Sequence, residues 1–384
     1  MMDLQGLPDK LKIIKKVIRK EYLADHSIPW IIGYSGGKDS TLLLHLVVES
    51  LLSLPPEMRS RKVFIISNDT LVESPVYVGH VYKSLGNIKE GVKALDLPIE
   101  VVVSQPDIDN TFWVNLLGRG YPAPNRIFRW CTDRMKIKPT TKFIIDCVST
   151  SGEAILLLGV RRAESADRAK RVEKYTTKSE VVDASHDDAF NLSQHNDISG
   201  CKIFRPIVNL TNEEVWLLIF NSKPSWGGTF KDLISLYKNA TSDECPFVVD
   251  ESESASCGTH NARFGCWTCT VVDKDKSIDA LIDSGYEYLE GLSRFRDRLK
   301  AVSNDPKMRS TVRRNGQPGL GPLTIEAREM LLKELLNLQD QITDEYSEEN
   351  VISLISDSEI NRIKYIWASD RSIKILRDQD IAIF

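Results

Sequence analysis

The sequence predicts an α/β protein in which a parallel β-sheet is covered by helices on both faces, followed by a cysteine-rich segment and a helical C-terminal region. Three observations carry this. Short apolar runs (Ile28–Ile32, Lys62–Ser67, Pro98–Val103, Ala154–Val160) alternate with segments of helical periodicity. Strands that are apolar throughout, rather than every second residue, are those buried on both faces of a parallel sheet. The first run enters Tyr34-Ser35-Gly36-Gly37-Lys38-Asp39-Ser40 and continues into Thr41-Leu42-Leu43-Leu44, which reads as strand, tight turn and helix. Finally, Cys257, Cys266 and Cys269 crowd one segment while four other cysteines are scattered.

Taken in order, Met1–Tyr22 is lysine-rich and spaces Leu11, Ile14, Val17 and Ile18 at helical intervals. It has no apolar core leading to a cleavage site, so it reads as a helix packed on the domain rather than a signal peptide or membrane span. With no apolar stretch of membrane-crossing length elsewhere, a cytoplasmic protein is expected. The Ser35–Ser40 loop has the outline of a phosphate site. Gly36 and Gly37 allow close backbone approach, helix-start N–H groups point at the anion, and Lys38 adds positive charge. Its spacing is neither that of a Walker loop nor of a dinucleotide fingerprint.

Asp39–Ser53 should be a buried helix ending near Pro55-Pro56, and Pro75–Leu95 and Ile137–Cys147 further helices. In parallel sheets ligands bind beyond the carboxyl ends of strands. The second strand is followed there by Asp69, which can hydrogen-bond ribose or help hold a metal ion. The fourth is followed by Arg161 and Arg162, with Ser165 and Arg168 beyond, which can clamp an anion. Glu173–Gly200 turns polar and reads as a flexible insertion. Thr211-Asn-Glu-Glu214 is a capping box opening the next helix. Long helical segments are expected around Ala280–Val302 and Ile325–Ile342, separated by a basic loop at Arg313–Gly319, and Ser347–Phe384 reads as short helices. The organisation is thus 1–240, with the insertion at 173–200, then 241–275 and 276–384.

The chain has 384 residues, 42% hydrophobic and 27% charged, with a net charge of −4. That is an ordinary globular composition, so any nucleic-acid affinity must be local. Arg126–Lys142 carries six basic residues against Asp133, and Arg294–Arg314 carries eight against two aspartates. Both could track phosphates. Seven cysteines without an export signal point to thiol or metal chemistry. Cys266-x-x-Cys269 can chelate one centre, with Cys257 a third thiolate and Cys131 the best fourth, its basic neighbours favouring the thiolate. Spacing leaves zinc and an iron–sulfur cluster open, and His260 could replace one cysteine. Cys245 reads as an inert thiol or a sulfur carrier, and Cys147 and Cys201 as core.

With these pieces placed, the chain resembles the PAPS reductase branch of the PP-loop ATP pyrophosphatases, whose fold is of the adenine nucleotide alpha hydrolase type. Within that branch it is most similar to the DndC family of DNA phosphorothioation sulfurtransferases. The likeness rests on Gly33–Ser40, Ser67–Glu73, Thr111–Asn115, Gly120–Arg126, Arg129–Thr132, Gly159–Ser165 and Arg263–Thr270. It implies an enzyme that cleaves ATP to AMP and pyrophosphate and carries a [4Fe–4S] cluster. Such an enzyme works with a cysteine desulfurase and other Dnd-type DNA modification proteins to place sulfur on the DNA backbone. By matching motif, Ser35, Gly36, Gly37, Lys38, Asp39 and Ser40 would hold ATP phosphates and magnesium. Cys131, Cys257, Cys266 and Cys269 would hold the cluster. Lys38, Asp39, Asp69, Arg161 and Arg162 are the catalytic candidates, and Ser165 and Arg168 further nucleotide contacts. Other readings are a tRNA thiolase, a PAPS or APS reductase, and a partner-binding ATPase scaffold with a structural metal centre.

Overall fold

A computed structural model describes residues 6–24, 26–162, 192–240, 264–346 and 353–381. The chain divides into two compact units, one of Met1–Asn68, Gly79–Ser104 and Thr140–Tyr237, the other of Asp69–Val78, Gln105–Pro139 and Lys238–Phe384. Residues 69–78 and 105–139 therefore group with the C-terminal part of the chain, whereas their place in sequence suggests the 1–240 domain.

The first unit holds the sheet. Its strands are β1 (Trp30–Gly33), β2 (Val63–Asn68), β3 (Ile99–Ser104), β4 (Ala154–Leu157), β5 (Ser193–Gln194) and β6 (Cys201–Phe204). They lie in the order β3-β2-β1-β4-β6-β5. All neighbours are parallel except the short edge strand β5, which is antiparallel to β6. The expected parallel sheet is present.

Register explains how the two faces are covered. Trp30 lies opposite Val63 and Ile155, so their side chains share a face. There the Trp30 ring meets edge-on, at 5.3 Å, Tyr22 of helix α1 (Leu7–Tyr22). Ile31, Phe64 and Leu156 point the other way. They pack with Ile144 of helix α4 (Lys138–Ser151), whose Phe143 meets Phe64 at 5.4 Å. Helix α2 (Lys38–Leu52) follows β1, and from Ser40 to Val48 every residue is buried, which is why its leucines occupy more than one face. Helix α3 (Pro75–Ala94) links β2 to β3. Helix α5 (Asn212–Asn221) opens with the predicted box: Thr211 Oγ1 accepts from Glu214 N at 3.2 Å and Glu214 Oε2 from Thr211 N at 2.8 Å. Helix α6 (Lys231–Ala240) follows.

The second unit has its own core, built on tryptophan. Trp113 and Trp267 lie 5.8 Å apart, and Phe295 meets both at about 6 Å. Around them are α7 (Lys276–Asp283), α8 (Leu289–Asn304), α9 (Ile325–Tyr346) and α10 (Asp357–Ile381). The segment expected as one helix over Ala280–Val302 is two, because Gly285 takes φ +101°, a left-handed conformation that ends a helix. The C-terminal stretch expected as short helices contains the single long helix α10. Trp367 of α10 donates to the Leu117 carbonyl at 2.7 Å, and Trp113 donates to that of Leu354 at 2.7 Å.

Candidate active site

Strand order sets where a ligand fits. β1 pairs with β2 on one side and β4 on the other, and the chain leaves β1 and β4 in the same direction. A crevice between such strands is the switch point of an open α/β sheet. It is occupied by the Ser35–Ser40 loop from β1 and by Leu158–Arg162 from β4.

The loop is built from its own side chains. Gly36 takes φ +77°, a conformation that favours glycine. Ser40 Oγ accepts from Ser35 N at 3.2 Å and donates to the Gly37 carbonyl at 3.0 Å, and the two serine hydroxyls are 3.1 Å apart. The backbone is thereby curled before Gly37 caps α2 with extended dihedrals and no side-chain cap. An uncapped helix start with glycine beneath it favours an anion.

The loop after β4 closes against it. A Cβ on Gly159 would stand 2.9 Å from the Asp39 carbonyl oxygen and 3.1 Å from Ser40 N, and one on Gly33 would stand 3.2 Å from Leu158. Glycine is what lets these segments touch. Arg161, almost wholly buried, then donates from Nε to Asp39 Oδ1 at 2.6 Å and from a terminal nitrogen to Asn212 Oδ1 at 3.4 Å. Lys38, Asp39 and Arg161 thus form one charged group, with Lys38 Nζ 3.8 Å from Asp39 Oδ2.

Three neighbours gave no signal in the sequence. Tyr237 of α6 accepts from Lys38 N at 3.2 Å, and its ring lies under the Lys38 ammonium at 5.2 Å, with Trp216 of α5 at 5.9 Å. His80 of α3 stands 3.3 Å from the Gly36 carbonyl, and burial lowers its pKa, so its neutral form is favoured there. Each lies far from the loop in sequence.

Other expected residues fall differently. Arg162 is exposed, and its backbone N–H donates to Val208. Asp69 groups with the second unit, where its carboxylate accepts from Leu71 N at 2.8 Å and Gln105 Nε2 at 3.0 Å; Leu71 has φ +65°. The aspartate holds this turn. Ser165, Arg168, Cys245, Cys257, His260 and most of 173–200 lie outside the described residues.

In the second unit each thiol segment hangs from a buried tryptophan. Trp130 beside Cys131 donates to the Pro122 carbonyl at 2.9 Å and stacks on Phe112 at 5.3 Å. Trp267, inside the Cys266–Cys269 turn, donates its backbone N–H to the Val72 carbonyl, and the turn closes through Cys269 N to the Cys266 carbonyl at 3.0 Å. A π-helical turn, Thr132–Ile137, follows Cys131. The thiols sense one another: burial and then Cys269 push Cys131 upward, while burial pushes Cys266 to about 11, with Cys131 adding to the rise. This corrects the expectation that basic neighbours favour the Cys131 thiolate. Burial outweighs charge, and Lys136 is paired with Glu73 at 3.5 Å. Cys131, Cys266 and Cys269 are free thiols of the soft-donor type that zinc and iron–sulfur centres use. Among the described residues no group of three or more His, Cys, Asp or Glu is arranged to hold a metal ion.

No helix among the described residues is long and apolar enough to cross a membrane. Over residues 29–272 the chain matches the model of the phosphoadenosine phosphosulfate reductase domain. It is 26% identical over 163 residues to an uncharacterized protein of Methanocaldococcus jannaschii, a match spanning 41% of this chain and 28% of that relative's length. Among solved structures it is similar to the phosphoadenylyl-sulfate reductase of Candida auris, with 12% identity, TM-score 0.33, 57% of this chain and 87% of the other. It is also similar to the U34-tRNA thiolase NcsA of Methanococcus maripaludis with its [4Fe-4S] cluster, with 15% identity, TM-score 0.32, 77% of this chain and 80% of the other. With well over half its length matched by the domain model, this chain belongs to the phosphoadenosine phosphosulfate reductase domain family, within the PP-loop superfamily.

Proposed function

We propose that the chain is an ATP-dependent sulfurtransferase of DNA phosphorothioation. The observation that carries the nucleotide half is the uncapped start of α2, with the curled Ser35–Ser40 loop below it and Arg161 bound to Asp39 beside it. The α2 amides and Lys38 would bind the ATP phosphates, and Asp39 would help hold magnesium while Arg161 orients it. A DNA phosphate oxygen attacks the α-phosphorus, an O–P bond forms, and pyrophosphate leaves. The terminal sulfur of a persulfide, made from cysteine by a desulfurase, then attacks the DNA phosphorus as AMP departs, and a thiol reductant cleaves the S–S bond to leave the phosphorothioate. The adenylated oxygen leaves far more readily than free oxide, which is why ATP is needed.

Cys131, Cys266 and Cys269, completed by Cys257, would hold a [4Fe–4S] cluster, which supplies redox and sulfide chemistry when bound. Other Dnd-type proteins would deliver the DNA. Purified anaerobically, the protein should be brown and contain iron and labile sulfide; stoichiometric zinc in a colourless protein would favour the scaffold reading. The domain family itself favours a second enzyme reading, a sulfonucleotide reductase. The acceptor decides between them. Incubated with ATP, DNA, cysteine, a desulfurase and a thiol reductant, the enzyme should yield phosphorothioate dinucleotides on digestion of the DNA. Sulfite release from PAPS or APS, or thionucleosides in tRNA, would reject the DNA reading.

A further inference from the structure

The second unit carries an exposed apolar tip that neither the nucleotide loop nor the thiols use. Residues Asn125 to Arg129 turn sharply, with Asn125 Oδ1 accepting from Ile127 N at 2.9 Å and Phe128 N at 2.8 Å. The turn is thereby built to hold Ile127 at 98% exposure and Phe128 at 44%. Exposing both apolar side chains at the end of an ordered turn costs solvation with no return among the described residues.

The surroundings of the tip are cationic. Arg126 and Arg129 flank it and are exposed. Phe128 meets Tyr121 at 6.1 Å, and Tyr121 lies beneath Arg314 at 4.5 Å and Arg134 at 5.2 Å. Arg134 also donates to the Tyr121 hydroxyl at 3.0 Å, so two guanidinium groups are fixed beside the tip. Asp273 lies 3.9 Å from Arg126 but is shared with Lys300 at 2.8 Å. Arginines around an apolar wedge match a duplex, whose phosphates take the charge while the wedge enters between base steps.

We propose that Asn125–Arg129 is a DNA-inserting tip, with Ile127 and Phe128 wedged into a base step from the minor groove and Arg126 and Arg129 on the flanking phosphates. The inference rests on DNA being the substrate and adds how the duplex would be gripped and unstacked.

Full-length protein is titrated into fluorescently labelled duplex DNA at several salt concentrations, comparing the wild type with I127S/F128S and with R126Q/R129Q. The apolar pair should weaken binding about tenfold with an unchanged salt slope. The arginine pair should weaken it and flatten the slope of log K against log salt by about two, near one for each phosphate left without its arginine. A 2-aminopurine placed at successive steps should brighten with the wild type and stay quenched with I127S/F128S. All four residues are exposed, so the fold should survive, which circular dichroism checks. Unchanged DNA affinity and quenched 2-aminopurine would overturn the inference, including the case in which the variants instead lose a protein partner. Cleavage of ATP to AMP and pyrophosphate by the wild type, measured in parallel with DNA, cysteine and a desulfurase all present, separates the two readings: its absence would reject the proposed function while leaving the tip's DNA binding as found.

Discussion

At the scale of single residues, the site depends on how closely two loops approach. Gly159 lets the loop after β4 lie against the Asp39 and Ser40 backbone, where an added Cβ would stand 2.9 Å from a carbonyl oxygen. Backbone cannot step aside as a flexible side chain can. Gly159→Ala should therefore cost about 1–3 kcal/mol in unfolding free energy and weaken nucleotide binding together; urea melts and ATP titration would show it. The Asp39–Arg161 pair makes a second case. Arg161 is 3% exposed, so removing it leaves the mostly buried Asp39 carboxylate with only the more distant Lys38, at 3.8 Å, to offset its charge. Arg161→Met should lose about 3 kcal/mol. Adding Asp39→Asn should restore part of that loss in the same urea melts, whereas a double variant no better than the single would show that Arg161 acts through packing.

At the scale of elements, α2 carries both the site at its start and a buried histidine in its middle. His45 Nδ1 stands 2.8 Å from Ser225 Oγ and accepts from Ser225 N at 3.2 Å, and its ring meets Phe230 edge-on. Burial, only partly offset by Glu49, lowers its pKa below the usual 6.5. The unfolded chain then binds the proton first, so stability is full above that value and falls as pH drops through it. His80 and His195 are shifted the same way and should add to the fall. His45→Gln should leave a shallower loss between pH 7 and pH 5 in urea midpoints, and an unaltered slope would remove His45 from this account. The elements the sequence showed best were the inner strands β1, β2 and β4, since a strand buried on both faces needs apolar residues throughout; β3, at the sheet edge and only partly buried, was legible from its valines. It showed α10 poorly. Asp357–Ile381 mixes polar and apolar residues without a clean stripe, and what holds it is particular, such as Trp367 on the Leu117 carbonyl and Arg362 on Asp109.

At the scale of the whole molecule, what was legible were segments contiguous in sequence: the turn and helix start at Ser35–Ser40 and the Thr211 capping box. What was not legible was whatever long-range folding brings in. Tyr237, Trp216 and His80 reach the loop from three separate helices, and no local pattern marks any of them. Asp69, an aspartate just after a strand, also holds Leu71 in a left-handed turn, a contact its sequence position does not show. Cys131 likewise has basic neighbours in sequence, yet burial decides its proton. ATP labelled on its α-phosphate, incubated with DNA, cysteine, a desulfurase and a thiol reductant, tests most directly whether the start of α2 is the site of ATP cleavage. The label should appear in AMP with an equal amount of pyrophosphate, and Lys38→Met should abolish both products. Label in ADP, or AMP formation untouched by loss of Lys38, would contradict the assignment of this loop as the site of ATP cleavage.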